Sequence, residues 1–330
     1  MSGGTTFTVS LPKSWAEEQG IEPGSVLYLH PKSDGTLLIQ SSREYTQTES
    51  AVEISPEEDD RTVRELVYAM YLIGLDRIKL VSDDSDQDLR QLESVVMDIV
   101  SRFVGFEILE SSGDEIVLQT VMDAKNISIR KSGIRLRLIA LAMHEDAVTA
   151  VVDNDVSLAN QVIRHDDEVD KLLALITRYF QRTLTDLQEV EEVELTRPEM
   201  FEYYYISRQL ERVADHAEKI ARIVVDDAQL PSELVEELAP IADDSRAILR
   251  DASDVVLSDE DVQRAYDALY ERDNVVEDIE ELDRTIYDHD TSADLHRFSL
   301  VLDSLKRSVE YGANIAEVSI QRAARMGMID

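Results

Sequence analysis

Residues 165–172 read HDDEVDKL, and residues 210–221 read LERVADHAEKIA. Each stretch holds two carboxylates four residues apart, Asp166 with Asp170 and Glu211 with Asp215. On a helix that spacing returns to the same face one turn later, so each stretch aims two oxygen-bearing side chains in one direction. The two stretches also fit each other. In an antiparallel helical hairpin, residues at one level share a midpoint along the chain, and Asp166 with Asp215 and Asp170 with Glu211 share the one between 190 and 191. There the apolar periodicity stops, and EVEEVELTRPE (189–199) supplies the polar residues and proline of a helix connection. The spacing predicts two facing levels of paired carboxylate. His165 and His216 are level in the same register and read as surface residues flanking the motif.

The C-terminal third repeats the scheme. Asp273 and Glu277 lie in RDNVVEDI (272–279), while Lys306 and Glu310 lie in LKRSVEYGANIA (305–316), with a common midpoint between Thr291 and Ser292. A register that closes in both halves marks an internal duplication. Lys306 stands where Glu211 stands in the first copy, and an ammonium opposite Glu277 neutralises it without a metal. Arg212 and Arg307, at equivalent repeat positions, are expected to pair with neighbouring acids.

Around these motifs the chain from residue 126 is helical in pattern. Helices are expected near 126–152, 155–187, 198–227, 231–256, 259–289 and 292–326, grouped as two antiparallel three-helix bundles over 126–227 and 231–326. Residues 62–123 read as a small α+β layer: a helix, RIKLV, the helix LRQLESVVMDIVSRFV, FEILES, a turn at Gly113-Asp114 and EIVLQTV. Residues 46–61 are polar and acidic and read as a linker. Residues 1–45 read as short strands with a brief helix from Ser14 to Gln19, the last two strands joined at Asp34-Gly35. That segment is too small for a core of its own and is expected to dimerise. The fold class is mainly α with a small β-rich N-terminus.

Composition excludes several chemistries. With no cysteine, disulfides and thiolate metal sites are absent. No apolar run spans a bilayer and MSGGTTFTVSLPK has no signal-peptide stretch, so the expected location is cytoplasmic. The net charge of −36, spread through periodic apolar sequence rather than gathered in blocks, and a basic complement that is mostly arginine predict a halophilic protein. Di-iron catalysis of the ferritin-like kind needs Glu-x-x-His, and none of the six histidines has a glutamate three residues before it. No phosphate loop, nucleophile elbow or zinc-protease motif is present, so no enzyme is expected. All-carboxylate sites favour hard cations such as magnesium, calcium or manganese, and a solvated acidic face is the alternative reading.

Two resemblances follow from the residues quoted. The tandem of HDDEVDKL with LERVADHAEKIA, then RDNVVEDI with LKRSVEYGANIA, resembles the PhoU family, over roughly residues 126–326. That likeness implies a regulator of phosphate uptake and phosphate signalling, typically negative, with transporter or signalling proteins as partners. It also implies divalent or iron-type metal ions on Asp166, Asp170, Glu211 and Asp215, with a weaker set of Asp273, Glu277 and Glu310 because of Lys306. The N-terminal TFTVSLPKSWAEEQGIEPGSVLYLHPKSDGTLLI resembles the swapped-hairpin domain of the AbrB/SpoVT family, notably in Leu11-Pro12-Lys13, Gly20-Ile21, Pro23-Gly24 and Asp34-Gly35. It implies a homodimer and promoter DNA as a partner, with Lys13, Lys32 and Arg43 as candidate contacts. A protein-interaction scaffold without DNA binding is the competing reading.

Overall fold

The computed structural model describes residues 8–31, 35–41, 48–54, 58–82, 86–112, 115–122, 124–226, 230, 232–285 and 293–329. The chain divides into two compact units, Met1–Gln47 and Thr48–Asp330.

In the first unit, α1 (Lys13–Glu18) precedes an antiparallel pair, β1 (Tyr28–Pro31) and β2 (Leu37–Gln40), with Tyr28 opposite Gln40 and Pro31 opposite Leu37. Gly35 in the connection has φ +84°, which glycine adopts without strain. None of the α1 residues is buried, while Val9, Val26, Leu29 and Leu37 remain at least half exposed. Among the described residues of this unit, these apolar side chains are left uncovered.

The second unit begins with β3 (Glu49–Ile54), α2 (Asp60–Leu72), β4 (Arg77–Ser82), α3 (Asp86–Val100), β5 (Phe106–Ser112) and β6 (Glu115–Thr120). The sheet order is β3-β4-β6-β5, with β3 parallel to β4 and the remaining neighbours antiparallel. The expected linker is therefore half wrong, because Glu49–Ile54 is an edge strand of this layer. Its ESAVEI sequence carries few apolar residues, and its place comes from ladder bonds to β4 and from burial of Ile54. Asp59 caps α2, its side chain accepting from the Thr62 amide at 2.7 Å.

The helices follow as α4 (Ile129–Asp153), α5 (Val156–Thr185), the short α6 (Leu187–Glu192), α7 (Arg197–Val225), the short α8 (Ser232–Val235), α9 (Leu238–Leu257), α10 (Gln263–Thr285) and α11 (Ala293–Arg325). Each of the long ones was legible as a period of apolar residues, and their ends follow capping chemistry. Asp155 accepts from the Ser157 and Leu158 amides at the start of α5, and Thr196 with Glu199 forms a capping box at the start of α7. The helices α4, α5 and α7 form one set and α9, α10 and α11 another, while α4 and α7 also pack on α9 and α11. Gly133 of α4 marks such a close approach, since a Cβ there would stand 3.2 Å from Leu257 of α9. One apolar core runs through both sets, from Leu136 and Val169 to Val301 and Ile315. The expected bundles thus share a core instead of standing as separate domains.

A buried polar network seals the α+β layer to α5. Asp76, Arg178 and Glu189 are almost fully buried, and Arg182 is nearly so. Arg178 donates to the Tyr71 carbonyl at 2.8 Å and lies over the Tyr71 and Phe106 rings; Arg182 donates to the Gly74 carbonyl at 3.1 Å and pairs with Asp76 and Glu189. Asp76 also accepts from the Thr48 amide and hydroxyl at 2.9 and 3.0 Å. Gly74 has φ +97°, and a Cβ there would meet Arg182 Cγ at 2.5 Å. Among the described residues, no helix is long and apolar enough to cross a membrane.

Candidate metal centre

The helices α5 and α7 carry the first carboxylate quartet and pack against each other. Asp166 and Asp170 feel the charge of Asp215, and Glu211 feels that of Asp215 and Asp170. Glu211 is buried and Asp166 and Asp215 half-buried, whereas Asp170 is exposed at a pocket mouth. Partial burial, then Asp170, Glu218 and Asp215, push the Asp166 carboxyl up to about 7. Burial and Asp215 push Glu211 up to about 7 as well. Asp170 and Asp215 are shifted upward in the same sense, Asp170 by the protein around it and Asp215, and Asp215 by its own burial against the opposing Lys219 charge. Four carboxylates that raise one another's affinity for protons form a site that calls for positive charge.

Two oxygens are buried without a hydrogen-bond partner, Asp166 Oδ1 and Glu211 Oε2. The other Glu211 oxygen accepts from Arg208 Nη1 at 3.1 Å. Among the described residues, no three carboxylate or imidazole groups already stand in metal-holding positions. The donor chemistry nevertheless fits a hard cation: all oxygen, two orphaned atoms, two rigid helices. Side-chain rotation alone would have to close the set.

The second copy is built differently. Arg272 reaches Asp273 at 2.7 Å and Glu310 at 2.6 Å, placing a guanidinium between them. Lys306 pairs at 2.7 Å with Glu280, one turn beyond the expected Glu277, which is exposed. A lysine is long enough to reach an acid one turn away from the one that spacing alone would assign to it. The chain's own cations therefore neutralise Glu310, Asp273 and Glu280.

The flanking residues meet expectation at His165 and Arg307 and depart from it at His216 and Arg212. His165 stays exposed, 3.8 Å from Glu168. His216 is half-buried, with Nδ1 unpartnered, its ring 5.8 Å from that of Tyr311 and its pKa pushed down to about 4 by burial and Lys219. Arg307 lies near Asp303 at 4.0 Å, as expected, but Arg212 sits over the Tyr311 ring at 5.6 Å instead of on an acid. In the N-terminal unit Lys13 pairs with Glu17 at 3.6 Å, and Lys32 and Arg43 lie outside the described residues. Sequence reading missed Glu218, Arg208 and Arg272. Glu218 follows Asp215 by three residues on the same face, and Arg272 holds the repeat position of His165, so both were present as spacing signals.

Residues 134–224, from α4 through α7 and including all four carboxylates of the first copy, match the PhoU domain. The chain carries a PhoU domain. Residues 2–47 match the MazE family described as antidote-toxin recognition, bacterial antitoxin, a domain of the AbrB-like kind. Among solved structures, PhoU from Pseudomonas aeruginosa is similar in fold, with a TM-score of 0.53 at 21% identity over 58% of this chain and 93% of that one. The phosphate transport system regulatory protein PhoU from Streptococcus pneumoniae also matches, with a TM-score of 0.47 at 18% identity over 58% of this chain and 91% of that one. No curated protein matches the sequence.

Proposed function

We propose that this protein is a PhoU-type regulator of phosphate uptake and phosphate-responsive signalling, acting negatively and without turnover, in the cytoplasm. The observation that carries the reading is the PhoU domain over residues 134–224 with the carboxylate quartet set into it. Asp166, Asp170, Glu211 and Asp215 would hold a divalent or iron-type cation. When bound, it supplies the positive charge these groups lack and ties α5 to α7. Asp273, Glu277 and Glu310 are a poorer set, because Arg272 already bridges two of them.

The N-terminal unit is the second arm of the reading. Its AbrB-like resemblance and the apolar residues it leaves exposed support a homodimer, with promoter DNA as the ligand of the paired units. A specific observation favours the rival scaffold reading, in which the unit clamps a dimer and touches no DNA: Lys13 is already engaged by Glu17 in a chain of net charge −36. Transporter or signalling components are the protein partners in both.

The test is phosphate uptake by phosphate-replete cells lacking the gene, compared with cells carrying it back. Raised uptake that complementation lowers again supports negative regulation, and unchanged uptake refutes it. Retardation of phosphate-gene promoter DNA at high salt separates the two arms. A sequence-selective shift favours DNA binding, and no shift at any salt favours the scaffold.

A further inference from the structure

A pocket of about 270 Å³ opens where the α+β layer meets α5. This is near the small end of ligand pockets, which run to roughly 300–1,000 Å³, and suits a metabolite-sized molecule. The matched stretch 134–224 contributes only one wall, through α5; α2 and the end of α3 supply the others.

The lining has both signs of charge over an apolar floor. Ile99 and Phe103 are buried at its base, and the Tyr68 ring stacks on Phe103 with centroids 5.8 Å apart. Arg64, Glu65 and Arg102 line it on the layer side, Arg64 being paired with Asp98, while Asp167 and Asp170 line it from α5. Among the described residues, Arg102 meets carboxylates at a distance, Asp98 at 3.9 Å and Asp167 at 4.0 Å, so the pair across the pocket is not closed by a hydrogen bond. Both members are more than half exposed, the guanidinium at 56% and the Asp167 carboxylate at 66%, and both can take a ligand. A simple anion would be repelled by Asp167, Asp170 and the adjoining quartet. A simple cation would leave the Arg102 guanidinium without an anion within hydrogen-bond reach. A molecule carrying both charges on a short frame, with an apolar body, satisfies Arg102, Asp167 and the apolar floor together.

We infer that this pocket binds a zwitterionic α-amino acid with an apolar side chain, its carboxylate on Arg102, its ammonium on Asp167 and its side chain over Tyr68 and Phe103. The inference does not depend on the phosphate reading or on a metal. It gives the α+β layer a sensing role at the edge of the carboxylate quartet, through Asp170.

The test is calorimetric titration of the full chain, at a salt concentration that keeps it folded, with L-phenylalanine, L-leucine, phenethylamine and 3-phenylpropanoate. Phenethylamine lacks only the carboxylate of phenylalanine, and 3-phenylpropanoate lacks only the ammonium. Saturable binding of at least one amino acid is expected, with both single-charge analogues at least about tenfold weaker than phenylalanine. Arg102→Ala and Asp167→Asn should each weaken amino-acid binding by about the same factor, and Arg135→Ala, which removes a surface pair with Glu168, should leave it unchanged. Absence of saturable binding by either amino acid overturns the proposal. So does equal affinity for an analogue, or binding that survives both pocket variants.

Discussion

Asp166 carries the clearest electrostatic sign in the molecule. Its carboxyl lies near 7 in the folded chain against an ordinary 3.8, so the folded state holds that proton more tightly than the unfolded one. Its contribution to stability is complete at acid pH and is lost as pH rises through the window between those two values. In chelated protein, Asp166→Asn should therefore gain unfolding midpoint over the parent as pH is raised from about 5 to about 7.5, by on the order of 1 kcal/mol or less once solvent screening is discounted. A difference that stays flat with pH would show that the quartet does not hold protons. Metal content gives a second residue-scale prediction: Glu211→Ala should lose bound metal and Glu310→Ala should not, because Arg272 already engages Glu310. Elemental analysis showing equal loss would contradict this asymmetry. The facing of Asp166 with Asp215 could be read from spacing alone, since helical period and hairpin register are backbone properties. The diversion of Lys306 to Glu280 could not, because a flexible side chain selects among acids that sequence spacing treats as equivalent.

At the scale of elements, the contact between α5 and the α+β layer is where most is at stake. Arg182 sits among the buried carboxylates of Asp76 and Glu189, and Arg182→Met leaves both without its charge. A loss of about 3–5 kcal/mol is expected, read from denaturant unfolding, whereas breaking an exposed pair such as Arg284 with Glu280 should leave the unfolding midpoint unmoved. Gly74→Ala should cost on the order of 1–3 kcal/mol, because it forces a Cβ into a positive-φ position and against Arg182. The long helices were legible because fifteen or more residues of apolar period outweigh any single irregularity. The strand β3 was not. Six residues with two acids among them give no clear period, and only pairing with β4 makes them a strand.

For the whole molecule, charge and association set the expectations. A net charge of −36 is self-repelling, so the unfolding midpoint should rise between dilute buffer and molar potassium chloride, where the screening length falls to about 3 Å. A midpoint independent of salt would refute the halophilic reading. Sedimentation should show the full chain as a dimer and a chain beginning at Thr48 as a smaller species, since the exposed apolar residues of the N-terminal unit are then absent. Equal association of both would move the interface into the helical unit.

The sequence by itself determined the long helices, the spacing of the acidic motifs along them and the two family likenesses. All of these rest on spacing along the chain, and a helix converts spacing into direction by a fixed rule. Tertiary structure alone decided the fusion of both helix sets into one core, the strand at 49–54, the Arg178–Arg182–Asp76 seal, the occupation of the second site by Arg272 and the pocket beside Asp167. Each of these depends on which surfaces meet across long sequence separations. Burial, not local pattern, then sets which charges must find a partner.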